Sequence, residues 1–188
     1  TYTFTELATS ASQGTELVSF EVSIREDKAA VNLGTVEDTW IPVLTTQLLS
    51  RDGSQTAYAL GDERLVDTGS YEHFKAGTYV AELELCDEAG NVLQDAAGNW
   101  LRASAELELE GSGTYQIGID CDLSGLAGKR IVARQRVYDA RGELYASHDD
   151  MTSEAQSVWV VDKPGIATTL TDADTGLHMA NAAQSLTL

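Results

Sequence analysis

The chain is built on a two-residue rhythm, and that rhythm restricts it to one kind of architecture. Residues 15–24 (TELVSFEVSI) set Leu17, Phe20, Val22 and Ile24 among polar neighbours. Residues 78–85 (TYVAELEL), 104–109 (SAELEL), 114–119 (TYQIGI), 130–138 (RIVARQRVY) and 157–161 (SVWVV) repeat the pattern. Side chains alternating in this way point to opposite faces of a β-strand, a surface that suits β-branched and aromatic residues. Between the runs lie Asp52-Gly53, Glu88-Ala89-Gly90-Asn91, Ala97-Gly98-Asn99 and Ala140-Arg141-Gly142. These supply positive φ or an Asx turn. No long stretch carries a helical period. The expectation is an all-β chain, folded as an antiparallel sandwich or open barrel.

At 188 residues, 43% of them apolar, the chain can bury a substantial core. Its net charge of −18 argues against nucleic acid, since few cations are present to neutralise phosphates. It argues equally against an anionic membrane surface, and it favours solubility. No stretch is long and apolar enough to insert in a bilayer. Without an initiating Met or a signal peptide, the sequence reads as a segment of a longer chain, with any export signal or wall anchor outside it. Cys86 and Cys121 are too few for a disulfide framework and lack metal-ligand spacing, so neither a metal nor a cofactor is expected. They can pair or remain as two buried thiols.

A weak internal repeat divides the chain. Residues 42–48 (PVLTTQL) and 164–170 (PGIATTL) both fit P-x-[LI]-x-T-x-L, and each precedes a glycine-containing turn, Arg51-Asp52-Gly53 and Asp174-Thr175-Gly176. A motif recurring after about 120 residues marks successive modules. Pro42 and Pro164, the only two prolines, suit short stiff connectors between them. The expected organisation is an N-terminal unit over 1–40, a complete module over 42–162, and the start of a following repeat or a terminal tail over 163–188. The opening Tyr2-Thr3-Phe4-Thr5-Glu6 resembles the C-terminal part of the prealbumin-like (SpaA or Cna-B type) modules of Gram-positive pilins. In those modules such a strand carries the carboxylate that promotes a Lys–Asn isopeptide bond, a position that falls on Glu6. The matching lysine would lie before Thr1.

Residues 126–164 (LAGKRIVARQRVYDARGELYASHDDMTSEAQSVWVVDKP) are the most distinctive stretch. They read as a turn at Ala127-Gly128, a strand to Tyr138, a turn at Arg141-Gly142 and a short strand from Leu144 to Ser147. A polar loop with His148, Asp149 and Asp150 follows, then a closing strand from Gln156. Taken alone, a histidine beside two aspartates is most simply a solvated loop.

The whole string is similar to the T-Q ester-bond domain, or VaFE repeat, of Gram-positive surface adhesins. The matching segments are Leu126-Ala127-Gly128-Lys129, Val132-Ala133-Arg134-Gln135, and His148-x-Asp150 through Ala155-Gln156. The Pro-anchored opening strand and Val66-Asp67-Thr68-Gly69-Ser70-Tyr71 resemble the family's first two strands. The resemblance implies Ig-like or prealbumin-like modules in tandem. It also implies that a threonine of the first strand attacks the side-chain amide of a glutamine on the last, expelling ammonia and leaving an ester.

Carried onto this chain, the nucleophile is Thr46 or Thr45. Thr46 fits the Pro-anchored pattern, Thr45 fits spacing measured back from Gly53, and Thr46 is preferred. The acceptor is Gln156, the proton shuttle His148 and the assisting acid Asp67. Where the family has a glutamate, this chain has Gln135, which can donate a hydrogen bond to an oxyanion but cannot give up a proton. Either Asp67 suffices alone, or the bond forms slowly or not at all. Thr168 is the corresponding threonine of the second, partial copy.

The resemblance further implies a cell-wall-anchored stalk module outside the cell that turns over nothing but itself, with neighbouring modules of the same chain as partners. A link between terminal strands removes the extension that unfolding gives. It also restricts the unfolded chain by up to ~4 kcal/mol, on the reasoning used for disulfides. The alternative is an adhesive module binding a host protein or glycan, for which exposed aromatics such as Trp100 would serve. A threonine or serine hydrolase is a third class, disfavoured because the single His–Asp cluster is already used by the self-linking reading.

Overall fold

The computed structural model describes residues 1–10, 12–24 and 39–163, with 165, 168, 169 and 171. Among the described residues there are strands and no helix. The rest of the second Pro-anchored segment and its turn at 174–176 lie outside them; Thr168 is described and is exposed.

The N-terminal segment holds two small ladders. β1 (Tyr2–Thr5) pairs antiparallel with β3 (Ser19–Val22), and β2 (Thr15–Glu16) pairs with β4 (Thr39–Trp40). The run expected over 15–24 is therefore broken into β2 and β3. Phe4 and Phe20 face each other across β1 and β3 with ring centroids 5.5 Å apart. The Glu6 carboxylate accepts a hydrogen bond from the Val18 backbone N–H at 3.1 Å, which ties the chain after β1 to the residues before β3.

The main body is one sheet bent back on itself. Its strands are β5 (Val43–Ser50), β6 (Thr56–Tyr58), β7 (Glu63–Cys86), β8 (Arg102–Cys121), β9 (Arg130–Tyr138), β10 (Leu144–His148) and β11 (Ser157–Val161). β7 and β8 form a long antiparallel hairpin that serves both layers. Its first layer pairs the beginning of β7 with β5 and with the end of β8; its second pairs the end of β7 with β9 and with the beginning of β8. β9 then takes β11 beside its beginning and β10 beside its end, and β6 closes the edge in parallel with β11.

The sequence rhythm predicts separate strands over 104–109 and 114–119, but both belong to β8. Gly111, at φ 63°, and His73, at φ 61°, sit at the point where the β7–β8 register shifts. A bulge with left-handed residues bends a strand sharply without ending it. The hairpin therefore turns from one layer to the other where the sequence suggests a break.

Tight turns hold the remaining corners. Asp87, Asp95 and Asp139 each begin a five-residue loop. In each, the carboxylate Oδ1 accepts backbone N–H groups two and four residues on, at 2.8–3.0 Å. Gly90, Gly98 and Gly142 occupy the left-handed position that each loop requires.

Alternation then decides what is buried. On β5, Leu44, Thr46, Leu48 and Ser50 face inward, while Val43, Thr45 and Gln47 face out. Leu48, Leu65, Leu83, Leu85, Ile131, Val137, Val158 and Val160 are fully enclosed. Each is worth about 2 kcal/mol of apolar burial. Tyr71, Phe74, Tyr79 and Tyr145 pack ring against ring at one end, with centroids about 5 Å apart. The Cys86 and Cys121 thiols are free and buried near opposite ends of β7, the latter opposite Glu63. Burial raises both pKa values, that of Cys121 to about 12, so both stay protonated.

Candidate functional site

The sheet closes on itself imperfectly, and the expected residues meet at that seam. β5 hydrogen-bonds to β7 on one edge. On the other it faces the end of β10 and the start of β11 without a regular ladder. Two backbone N–H groups of β5 bridge the gap. The Leu48 N–H donates to the Ala155 carbonyl at 2.9 Å, and the Thr46 N–H donates to His148 Nδ1 at 2.8 Å. An imidazole thus stands where a ladder would place a carbonyl.

The Thr46 hydroxyl lies 3.2 Å from the same Nδ1. Because Nδ1 accepts a backbone N–H, the proton of the neutral ring belongs on Nε2. Burial lowers the His148 pKa, against the opposing pull of Asp150 and Asp149, so the ring is neutral and basic at pH 7. Asp150 is held by its own loop. Its Oδ1 accepts the Thr152 N–H and hydroxyl at 2.8 and 2.7 Å, shaping the loop before β11. The Arg130 guanidinium fastens that loop from below, donating to the Met151 and Ser153 carbonyls at 3.1 Å.

Gln156 is fully buried immediately before β11. Its Nε2 lies 3.0 Å from Thr46 Oγ1, although the two residues are 110 positions apart. The same nitrogen donates to the carbonyls of His148, at 2.9 Å, and Ala133, at 3.1 Å. Its two hydrogens are shared among three acceptors, the two carbonyls and Thr46 Oγ1, and a hydroxyl oxygen that accepts from the amide still has its own hydrogen to give to the imidazole. Gln156 Oε1 has no hydrogen-bond partner.

Asp67 is fully buried, and neither of its oxygens has a well-formed partner. Desolvation pushes its pKa up to about 7; the nearby Thr46 hydroxyl pulls the other way. Asp67 is therefore about half protonated at pH 7 and more fully so below it. Gln135, opposite His148 on the β9–β10 ladder, is also fully buried. Its Oε1 accepts from the Tyr115 hydroxyl at 2.7 Å, and its Nε2 is unpartnered.

Thr46, Gln156, Asp67 and Gln135 are buried, and His148, half-buried, joins them at one place. Thr45 is not part of this cluster: its side chain lies on the outer face of β5, because the period of two admits only one of two adjacent threonines to the interior. Glu6 is remote in sequence and occupied with Val18. Trp100, the aromatic considered for ligand binding, is exposed with the Arg102 guanidinium 5.6 Å from its ring centroid.

Sequence reasoning did not find Tyr115 and Gly69. The signal was present: a glycine between inward-facing Asp67 and Tyr71 marks a close approach by another group.

The T-Q ester bond containing domain matches residues 42–160 of the chain. Curated proteins give no match. Among solved structures, a bacterial adhesin from Mobiluncus mulieris containing intramolecular disulfide, isopeptide and ester bond cross-links is similar in fold. In one crystal form the TM-score is 0.54 at 12% identity over 65% of this chain. In a second form it is 0.51 at 13% identity over 62% of this chain. The aligned region spans 57% and 56% of those chains, respectively.

Proposed function

Since the chain belongs, over residues 42–160, to the family of T-Q ester bond containing domains, we propose that Thr46 and Gln156 join in an intramolecular ester, making this a self-cross-linking stalk module of a bacterial surface adhesin. The observation that carries the reading is the position of Thr46 Oγ1, 3.0 Å from the Gln156 amide nitrogen and 3.2 Å from a neutral imidazole nitrogen.

The chemistry follows from the placement. His148 Nδ1 takes the hydroxyl proton as Thr46 Oγ1 attacks the Gln156 carboxamide carbon. Negative charge develops on Oε1, which is buried and has no hydrogen-bond partner. The protonated Asp67 and the Gln135 amide are the donors at hand. The intermediate collapses as His148 returns its proton to the nitrogen, and ammonia leaves. One C–O bond forms and one C–N bond breaks; no water or second substrate is consumed, and His148 and Asp67 end as they began.

The carbonyls of His148 and Ala133 assist departure, because a nitrogen surrounded by acceptors gains a proton more readily. Low dielectric and exclusion of water then protect the ester. Gln135 does not prevent the reaction on this reading, because the proton required near Oε1 is supplied by Asp67. The module acts once and on itself, and it is not a turnover enzyme. Its placement outside the cell, as a spacer between neighbouring modules, is supported by the family and by likeness in fold to an adhesin.

Intact-mass measurement tests the reaction. The purified chain is expected about 17 Da below its sequence mass, the weight of the expelled ammonia. Thr46→Ala is expected at full mass. An unsubstituted chain at full mass overturns the proposal.

A further inference from the structure

The ester-forming reading leaves unexplained why a tyrosine hydroxyl is buried against Gln135, which stands where the family has a glutamate. The answer lies in a row of three residues across the first layer. Thr46 on β5 pairs with Gly69 on β7, and Gly69 pairs with Tyr115 on β8. All three face inward.

A side chain at the middle position would fill the space between the outer two. A Cβ on Gly69 would come within 2.6 Å of the Tyr115 ring and 2.9 Å of Gln135 Oε1. With no Cβ there, the phenol crosses over β7 and reaches Gln135 Oε1 at 2.7 Å. That contact leaves the NH₂ end of the amide pointing away from Tyr115. Asp67 lies near enough to act on the Tyr115 phenol, and both its oxygens, Gln156 Oε1 and one donor, Gln135 Nε2, are buried without partners. Unpaired acceptors and an unpaired donor within one buried cluster are complementary halves of a network.

We infer that Tyr115 is a positioning residue. Its hydroxyl, admitted by Gly69, fixes the Gln135 carboxamide with its NH₂ turned toward Asp67 and the Gln156 carbonyl oxygen, so that an amide donor stands where the family has an acid. The inference rests on the ester-forming reading. It adds that the glutamine at position 135 is a working part of the site, locked by a phenol that a free carboxylic acid would not need. A glutamine without such a lock would present oxygen or nitrogen to the developing oxyanion, and oxygen would repel it.

The experiment follows ester formation in cell-free-synthesised chain, quenched at intervals and weighed intact. Tyr115→Phe is expected to slow ammonia loss about five- to tenfold, the value of one lost orienting hydrogen bond. Gln135→Met, which removes the donor while keeping the volume, is expected to slow it about a hundredfold. Tyr115→Phe added to Gln135→Met is expected to slow it no further, because the hydroxyl acts only through the amide.

A merely structural tyrosine would slow both backgrounds equally. A second readout is independent of the reaction. In the folded but unreactive Thr46→Val chain, the Gln135 side-chain amide protons are expected to give one sharp pair of NMR signals with contacts toward Gln156, lost on adding Tyr115→Phe. Ammonia loss at an unchanged rate in Tyr115→Phe, or equal slowing in both backgrounds, overturns the inference while leaving the ester intact. An unsubstituted chain that never loses ammonia overturns both.

Discussion

At the scale of single residues, the site needs two opposite protonation states at once. His148 must be neutral to accept the threonine proton, and burial lowers its pKa to favour that. Asp67 must be protonated to face the oxyanion, and burial raises its pKa to about 7. Cross-linking should therefore speed up as pH rises through the depressed histidine value and slow as pH climbs past about 7. Timed mass measurements across pH would show this bell, and Asp67→Asn should abolish its alkaline side because an amide does not titrate. Retention of the alkaline decline in Asp67→Asn would show that another group causes it. Gln156 and His148 were legible in the sequence only through the resemblance to the ester-bond family, and Thr46 through that resemblance together with the Pro-anchored pattern on the Leu44 and Leu48 face. Asp67 was legible only through its segment, and its protonated state needed coordinates, since burial is not written locally. Gly69 signalled that some group approaches β7 closely, but not that the group is Tyr115, whose reach to Gln135 depends on what is missing from a neighbouring strand.

At the scale of elements, alternation fixed the faces of β5 and so separated two adjacent threonines. Thr45→Val should leave cross-linking and stability unchanged within about 0.5 kcal/mol, as an exposed substitution does. Gly69→Ala makes a contrasting prediction. Its new methyl meets Tyr115 and Gln135, and overpacking of this kind costs about 1–3 kcal/mol. Thermal melts of both variants, compared on the unreactive Thr46→Val background, measure the difference. A melting temperature left unchanged by Gly69→Ala would mean that the row across β5, β7 and β8 is looser than its geometry indicates. Strand identities were readable wherever apolar residues alternated, but the extent of β7 and β8 was not. The glycines near residue 111 look like a hairpin turn in sequence, whereas the bulge opposite them keeps the pairing intact.

For the whole molecule, the position of the bond matters more than its strength. It would join residues 110 positions apart, near the beginning and the end of the module. An entropic cross-link of that span stabilises by up to about 4 kcal/mol. Denaturant unfolding of the native chain against Thr46→Val should show a difference of that order. In Thr46→Val the stability should also fall as pH rises from about 4 to above 7. Asp67 binds its proton more tightly folded than unfolded, so its contribution is complete below the unfolded value and is lost through the folded one. Single-molecule pulling offers a larger signal. The cross-linked chain should withhold on the order of 370 Å of contour length that Thr46→Val releases.

The imperfect closure between β5 and β11 has one more consequence. The reacting groups come from the first strand of the barrel and from the residue before the last, so they cannot meet until the ribosome has delivered the entire module and it has collapsed in register. A slip of one residue along β5 would turn Leu44 and Leu48 outward and carry Thr46 away from the imidazole. The ester would then serve as a seal of inspection, set irreversibly on correctly assembled copies and withheld from the others.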